Sequence, residues 1–399
     1  MYLYFFLLYI AALFGHRKAR LLVRGQRDTT EKLRQGNLPK HCIWFHAASV
    51  GEFEQARPII ERLRAEHPGE KILLTFFSPS GYEMRKHYDK VDCVLYLPFA
   101  TRRNARLFLD CLQPKMAVFV KYEFWPAYLK ALKNRAIPAY SISAIFRPTQ
   151  LFFRPWGKAY LQLLTCFNHI YVQDSDSLRL LQTHGITHCT IAGDTRFDRV
   201  NQQAHTRAQQ DDCPGEWGKL LVAGSTWPED EALLARYIDT HDDVRLLLVP
   251  HEITEAHLHH IFQLFHGRYH RLTQEPDTMR PDRDWGCRVV VVDKMGLLSS
   301  LYRYGQVAYI GGGFGAGIHN TIEAAVYGMP VVFGPKYRHF REAKALINAG
   351  AGFSVKNYRQ LETALDQAFA DHTDLGRKAR LYVESELGAT DKIYRELFG

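Results

Sequence analysis

Residues 307–323 read VAYIGGGFGAGIHNTIE: a short β-branched and aromatic run, a loop crowded with glycine, then polar residues at helical spacing. Glycine lets backbone N–H groups approach a phosphate, and a helix beginning there adds positive partial charge. Three residues apart, Asn320 and Glu323 share one helix face, with His319 beside them. A carboxylate so placed can accept the two hydroxyls of a ribose while the loop Ile310–Gly317 holds a phosphate. A plain strand-to-helix turn fits the same letters. The dinucleotide fingerprint G-x-G-x-x-G does not, because it belongs in the first strand–helix turn and this loop comes late.

The strand–loop–helix grammar extends in both directions. Toward the amino terminus, strands are expected at Cys42–His46, Lys71–Phe76, Cys93–Leu97, Met116–Val120, Ala139–Ser143, Ile170–Gln173 and Thr190–Ala192. Helices are expected between them at Glu54–Glu66, Arg103–Leu112 and Ser175–His184. The rhythm pauses at Val200–Gly218, a polar stretch with Pro214 and Gly215 that reads as a linker. It restarts with strands at Lys219–Ala223, Arg245–Val249, Arg288–Val292, Val307–Ile310 and Pro330–Phe333. The second set of helices is Glu229–Asp239, Glu255–Phe265, Gly317–Tyr327, Phe340–Ala349 and Tyr358–Asp371. Alternation of this kind predicts α/β architecture with parallel sheets. The expected layout is a first Rossmann-like domain over 31–205 and a second over 206–399, facing across a cleft, with the last helix packing back on the first. Open α/β sheets bind ligands beyond the carboxyl ends of their strands.

With 46% hydrophobic and 23% charged residues, the 399-residue chain has globular composition and enough length for two cores. Its net charge of +9 favours an acidic partner without naming one. The charge is not gathered into a basic tract and no nucleic-acid module is recognisable, so nucleic acid is not expected. No two of the seven cysteines stand at C-x-x-C spacing, which argues against a zinc site or redox pair. Residues 1–15, MYLYFFLLYIAALFG, are uncharged and precede Arg17, Lys18, Arg20, Arg24 and Arg27. About 20 apolar residues are needed to span a bilayer, so this run is short. A cleaved signal peptide carries its basic residues first. Residues 1–30 are therefore expected to be an anchor in or on a membrane, with its basic stretch on anionic headgroups and the domains cytoplasmic. A helix buried on the protein itself is the other reading.

Other polar groups fall just past expected strands. His46-Ala-Ala-Ser49-Val-Gly51-Glu52 follows the first, and puts Glu52 at the mouth of a helix, where Ser49 and Glu52 also fit a capping box. Ser78-Pro-Ser80-Gly81, Tyr122-Glu123-Phe-Trp-Pro126, Gly224-Ser225-Thr226-Trp227, Pro250-His251-Glu252 and Asp293-Lys-Met295-Gly296 occupy equivalent places. Each alone reads as readily as a cap or turn.

In this order the motifs resemble the Kdo transferases, which attach 3-deoxy-D-manno-octulosonic acid to the lipid A precursor in lipopolysaccharide assembly. Gly193-Asp-Thr-Arg196-Phe-Asp198, Phe333-Gly-Pro335 and Phe340-Arg-Glu342 extend the resemblance over nearly the whole chain. It implies a GT-B fold and inverting transfer of Kdo from CMP-Kdo to a hydroxyl of the lipid A precursor, with neither metal nor cofactor, at the inner membrane. It implies Glu52 as the base, with Ser49, Gly51, Ser80, Gly81 and Glu123 on the acceptor side. Around the donor it implies Met295, Gly296, His319, Asn320 and Glu323, with Arg196, Ser225, Thr226, His251 and Gly315. Three departures stand out: Lys121 where the family often has an acid, Thr195-Arg196 for Leu-Lys, and no arginine before His251. The alternatives are another GT-B transferase or an epimerase using a UDP-sugar, and a non-catalytic nucleotide-binding scaffold.

Overall fold

Trp44 and Phe45 are neighbours on one strand, and both are completely buried, on opposite faces of the same sheet. Successive side chains of a strand point to opposite faces, so a strand without a solvent side must be covered by helices on both. The computed structural model describes residues 2–154, 157–208, 218–266, 268–272 and 287–399, and it divides into two compact units. The first is Met1–Arg199 with Leu387–Gly399; the second is Val200–Glu386.

The first unit begins with helices α1 (Tyr2–Leu13) and α2 (Arg17–Gln35), then β1 (Ile43–Ala47), α3 (Val50–Glu66) and β2 (Ile72–Phe76). It continues through α4 (Pro79–Arg85), β3 (Cys93–Tyr96), α5 (Arg102–Leu112), β4 (Met116–Val120), α6 (Pro126–Asn134) and β5 (Ala139–Ala144). There follow α7 (Lys158–Leu164), β6 (His169–Val172), α8 (Ser175–Thr183), β7 (Cys189–Ile191) and α9 (Thr195–Ala208). The strands pair in the order β3-β2-β1-β4-β5-β6-β7, and every pairing is parallel. Trp44 packs with Phe108 of α5, Phe119 of β4 and Tyr128 of α6, while Phe45 lies in the core that holds Phe53 and Ile60 of α3. Each such aromatic stabilises the fold by about 1.5–3 kcal/mol.

In the second unit the order is β8 (Lys219–Thr226), α10 (Pro228–Thr240), β9 (Val244–Pro250), α11 (Glu255–Leu264), β10 (His270–Arg271) and β11 (Val289–Val291). Next come α12 (Leu298–Leu301), β12 (Val307–Ile310), α13 (Ile322–Ala325), β13 (Val331–Phe333), α14 (Arg341–Asn348) and β14 (Gly352–Ser354). Helices α15 (Tyr358–Ala370) and α16 (His372–Ser385) close it, and α17 (Ala389–Phe398) belongs to the first unit. This sheet is also parallel, ordered β10-β11-β9-β8-β12-β13-β14. The strand order reverses at the centre of each sheet, between β1 and β4 and between β8 and β12; at the edge of the second, β11 is also inserted between β9 and β10. The central reversal is where an open α/β sheet leaves a crevice.

Three expectations need correction. The anchor expected over 1–30 is not a separate element, since its basic part lies in α2, which packs on the first unit. Helix α2 buries Ala19, Leu22, Gly25, Gln26, Thr29 and Leu33 along one face, and Gln26 bonds Leu97 O and Phe99 N–H at 2.7 Å each. Its job is to cover the edge strand β3, an otherwise open row of backbone groups. Residues 2–13 form a helix of 12 residues, and among the described residues no helix is long and apolar enough to cross a membrane. Phe5 of α1 is buried, stacked on Phe99 at 4.3 Å.

The linker expected at 200–218 is partly helical, since α9 runs through Val200 to Ala208; Pro214 and Gly215 lie outside the described residues. The helix expected at 317–327 shrinks to α13, one turn. Gly317, at the start of the expected helix, has a non-helical φ of 135°, and Asn320 Oδ1 takes the Ile322 N–H locally. The strands β10 and β14, two and three residues long, are too short for any alternating pattern.

Candidate active site

Glu52 stands in the first turn of α3, immediately past β1, and is 8% exposed. Its Oε2 accepts the Ala48 N–H at 2.5 Å. Ser49 is the N-cap of α3, yet its side chain makes no capping bond, so the Ser49–Glu52 capping box is not closed. Burial pushes the Glu52 carboxyl up, and the nearby Glu123 carboxylate pushes it further, to about 7; the Ala48 N–H and the Lys121 ammonium pull the other way. A carboxyl at that value exists in both forms near neutrality, as a general base requires.

Glu123 arrives from the loop after β4, across the strand-order reversal from β1. The Trp125 indole N–H lies 2.9 Å from Glu123 Oε2 and 3.1 Å from His46 Nε2, so the one proton is shared between them. His46 is fully buried, and its Nδ1 meets Thr75 at 2.9 Å to Oγ1 and 3.2 Å to O. Because Nε2 accepts from the indole, Nδ1 carries the proton and donates to Thr75. Lys121, between β4 and Glu123, has a left-handed backbone (φ 57°), unusual for a side chain of that size. Ser141 Oγ donates to its carbonyl at 2.9 Å.

The loop Ser78–Gly81 is tied to the Glu52 loop by Ser78 N–H donating to Ala48 O at 2.8 Å. Ser78 Oγ accepts from Gly81 N–H at 3.1 Å and meets Ser80 Oγ at 3.1 Å. A Cβ on Gly81 would come within 2.6 Å of the Phe76 ring, whereas one on Gly51 would meet nothing within 4 Å. Gly51 therefore leaves open space beside Glu52 and is not demanded by packing. One turn along α3 from Glu52, Gln55 donates to the fully buried Asp194 at 2.8 Å. Asp194 Oδ2 also accepts from Arg196 Nε and Nη2 at 2.9 and 2.8 Å, and the Arg196 charge outweighs burial to hold its carboxyl below the usual range. Arg196 is thus carried by the first unit, apart from the other residues assigned to the donor.

Those lie in the second unit, around its own strand-order reversal. Ser225, at the end of β8, has φ 55°, a conformation that costs a non-glycine residue about 1–2 kcal/mol. Thr226 is buried and donates its hydroxyl to Glu231 at 2.9 Å, so its side chain is committed to the fold. Trp227 stacks on His251 at 4.9 Å, His251 meets His319 at 4.3 Å, and the Trp227 indole N–H donates to His319 Nε2 at 3.3 Å. Burial, then the neighbouring His251, lowers His319 to about 4. It is neutral at pH 7. Asp230 fastens this group to the glycine loop: it accepts from Trp227 N–H at 3.0 Å, Gly312 N–H at 2.9 Å and Tyr309 OH at 2.7 Å.

The glycine loop packs too tightly for side chains where it crosses β8: a Cβ on Gly311 would lie 2.2 Å from Ser225 O. Gly315 O accepts from Lys336 Nζ at 2.7 Å. Asn320 Nδ2 donates to Glu323 Oε1 at 2.9 Å, and Asn320 Oδ1 accepts the Ile322 N–H at 3.1 Å. Asn320 therefore holds Glu323 from outside the short α13 and not from one face of a long helix. Past β11, Met295 is 71% exposed, next to Gly296 at φ 86°. Among the described residues no group of three or more His, Cys, Asp or Glu is placed to hold a metal ion.

Residues 19–199 match the family model described as 3-deoxy-D-manno-octulosonic-acid transferase, or kdotransferase. The chain carries a Kdo transferase domain. This domain holds Glu52, Glu123 and Arg196 and ends at the boundary of the first unit. Similarity to Kdo transferases continues beyond it. The chain is 29% identical over 336 residues to the 3-deoxy-D-manno-octulosonic acid transferase of Aquifex aeolicus, covering 82% of this chain and 86% of that one. With the enzyme of the same name from Bordetella pertussis it shares 28% over 376 residues, covering 87% and 85%.

Solved structures show the same fold at low identity. A UDP-GlcNAc 2-epimerase from Neisseria meningitidis matches with TM-score 0.61 at 13% identity over 89% of this chain and 98% of that one. Acinetobacter baumannii MurG matches with TM-score 0.57 at 12% identity over 90% and 99%. The chain thus has two parallel-sheet α/β domains that resemble those of GT-B neighbours. Sequence reasoning missed His46, Thr75 and Asp194 as the supports of the site. Only the polar residues inside otherwise apolar strands at His46 and Thr75 could have signalled them.

Proposed function

We propose that the chain is a glycosyltransferase that moves Kdo from CMP-Kdo to a hydroxyl of a lipid A precursor in lipopolysaccharide assembly, inverting the donor carbon. The observation that carries this reading is Glu52, a buried carboxyl raised to about 7 inside a Kdo transferase domain. In the proposed step the acceptor oxygen attacks the Kdo anomeric carbon while Glu52 takes its proton. The bond from that carbon to the CMP phosphate breaks, and its electron pair leaves on phosphate oxygen. A base of matched pKa contributes about 10²–10⁴-fold to such a step.

The first unit would hold the acceptor, with Glu123 and the Ser49–Gly51 and Ser80–Gly81 loops beside the base. The second would hold CMP: Glu323 on the ribose hydroxyls, backbone N–H groups of the glycine loop near the phosphate, and Met295, His251 and His319 around the nucleoside. A neutral His319 can sit against a nucleoside without adding charge. Arg196, clamped by Asp194, keeps a fixed orientation for an anionic group. We further assign the protein to the cytoplasmic face of the inner membrane, with α1 lying in the interface. Phe6, Leu7 and Leu13 of α1, with Phe14 just past it, are 53–88% exposed, an apolar surface next to the basic residues of α2, and 12 residues are too few to span a bilayer. The test is incubation with CMP-Kdo and lipid A precursor, with and without chelator, products read by mass spectrometry. CMP and UDP protection from thermal unfolding separates this reading from a UDP-sugar enzyme of the same fold.

A further inference from the structure

We propose that a basic hollow between α5 and α6 is a binding site for the phosphate of an anionic lipid headgroup. The hollow has a volume of about 670 Å³ and is lined by Arg102, Arg106, Lys130 and Arg135, over a floor that includes Ala127 and Ala131. No carboxylate lines it. Arg102, Arg106 and Lys130 are exposed and form no ion pair among the described residues. Arg135 donates through Nη2 to Asp110 at 2.6 Å, but its Nη1 is buried without a hydrogen-bond partner.

Such an arrangement is costly on its own. Arg102 and Arg106 are four residues apart on one helix, where like charges destabilise each other, and a buried donor without an acceptor loses its hydration with nothing in return. An anion with several acceptor oxygens removes both penalties, and a phosphate matches guanidinium groups in shape as well as charge.

The lipid is chosen over free phosphate because of what adjoins the hollow. Ala100 lines it, and the preceding Phe99 packs on Phe5 and Tyr9 of α1 at 4.3 and 5.7 Å. A headgroup in the hollow would leave its chains beside the exposed apolar residues of α1. The inference rests on the membrane-surface part of the proposed function, and it adds a defined site for the headgroup.

The experiment is vesicle co-sedimentation of the full chain. The variants are the pair Arg106→Gln with Lys130→Gln, the charge-keeping pair Arg106→Lys with Lys130→Arg, and a control pair, Arg338→Gln with Lys356→Gln, from the second unit. Two surface charges lost near an anionic membrane should weaken binding roughly 30-fold. We expect that loss on phosphatidylglycerol vesicles for the first pair only, and little binding of any protein to phosphatidylcholine. Losses equal to the control overturn the site while leaving membrane attachment standing. A parent protein that does not prefer phosphatidylglycerol overturns both. Release from vesicles by inorganic phosphate, but not by chloride at equal ionic strength, overturns the lipid as occupant.

Discussion

Glu123, on the loop after β4, raises the carboxyl of Glu52, on the first turn after β1, and Lys121 opposes it. The parallel pairing of β1 with β4 sets the two loops side by side. Replacing Glu123 by Gln removes a negative charge that disfavours ionised Glu52, so its pKa should fall. The acid limb of the kcat/KM profile should then move to lower pH. Lys121→Met removes a favourable positive charge and should move the same limb upward. Profiles from pH 5 to 9 check both signs; a limb that stays put in both variants separates it from Glu52.

The same raised carboxyl has a signature in stability. Folded Glu52 titrates near 7 and the unfolded group near its ordinary value of 4.5. Its favourable contribution is complete below 4.5 and is lost as pH rises through 7. Glu52→Gln has no such loss. The variant's melting temperature should therefore gain on the parent between pH 5 and pH 8, where calorimetry at matched ionic strength can follow it.

His319 gives the opposite sign. Held down to about 4 against an ordinary 6.5, it contributes stability above 6.5 that is lost as pH falls through 4. His319→Phe keeps an aromatic ring against His251 without a group to protonate. Denaturant titrations at pH 7 and pH 4.5 should show a smaller acid loss in the variant than in the parent.

Glu323→Ala should weaken CMP binding, because a charge-assisted hydrogen bond is worth about 1.5–3 kcal/mol, or roughly 10–150-fold in affinity. Asn320→Ala should show a milder loss, since Asn320 orients Glu323 through one bond. Calorimetric titration with CMP distinguishes the two, and equal affinities for parent and Glu323→Ala would place the nucleotide elsewhere.

Much of the fold was readable because parallel strands buried on both faces are long apolar runs: Met116–Val120 and Val307–Ile310 coincide with β4 and β12. The end of each such run located Glu52, Glu123, Ser225 and His319. What remained hidden depends on distant partners. Gln55 and Asp194 are 139 positions apart, and nothing local to either betrays the bond. Residues 1–30 read as an anchor with a basic stretch on headgroups until Gln26 and Thr29 are seen bonded to the backbone at β3 and just beyond it. Residues 317–321 carry helical spacing, yet glycine freedom and the Asn320 side chain's local bonds delay the helix until Ile322.

Glu52 is the proposed base for Kdo transfer. One comparison tests it: turnover of parent and Glu52→Gln with CMP-Kdo and lipid A precursor, with CMP affinity measured on the same samples. Gln keeps the size of the side chain and can still accept the Ala48 N–H, so the fold and the nucleotide site should persist. The predicted result is a turnover lower by about 10²–10⁴-fold with CMP affinity unchanged. Turnover within a few-fold of the parent would remove Glu52 from the reaction.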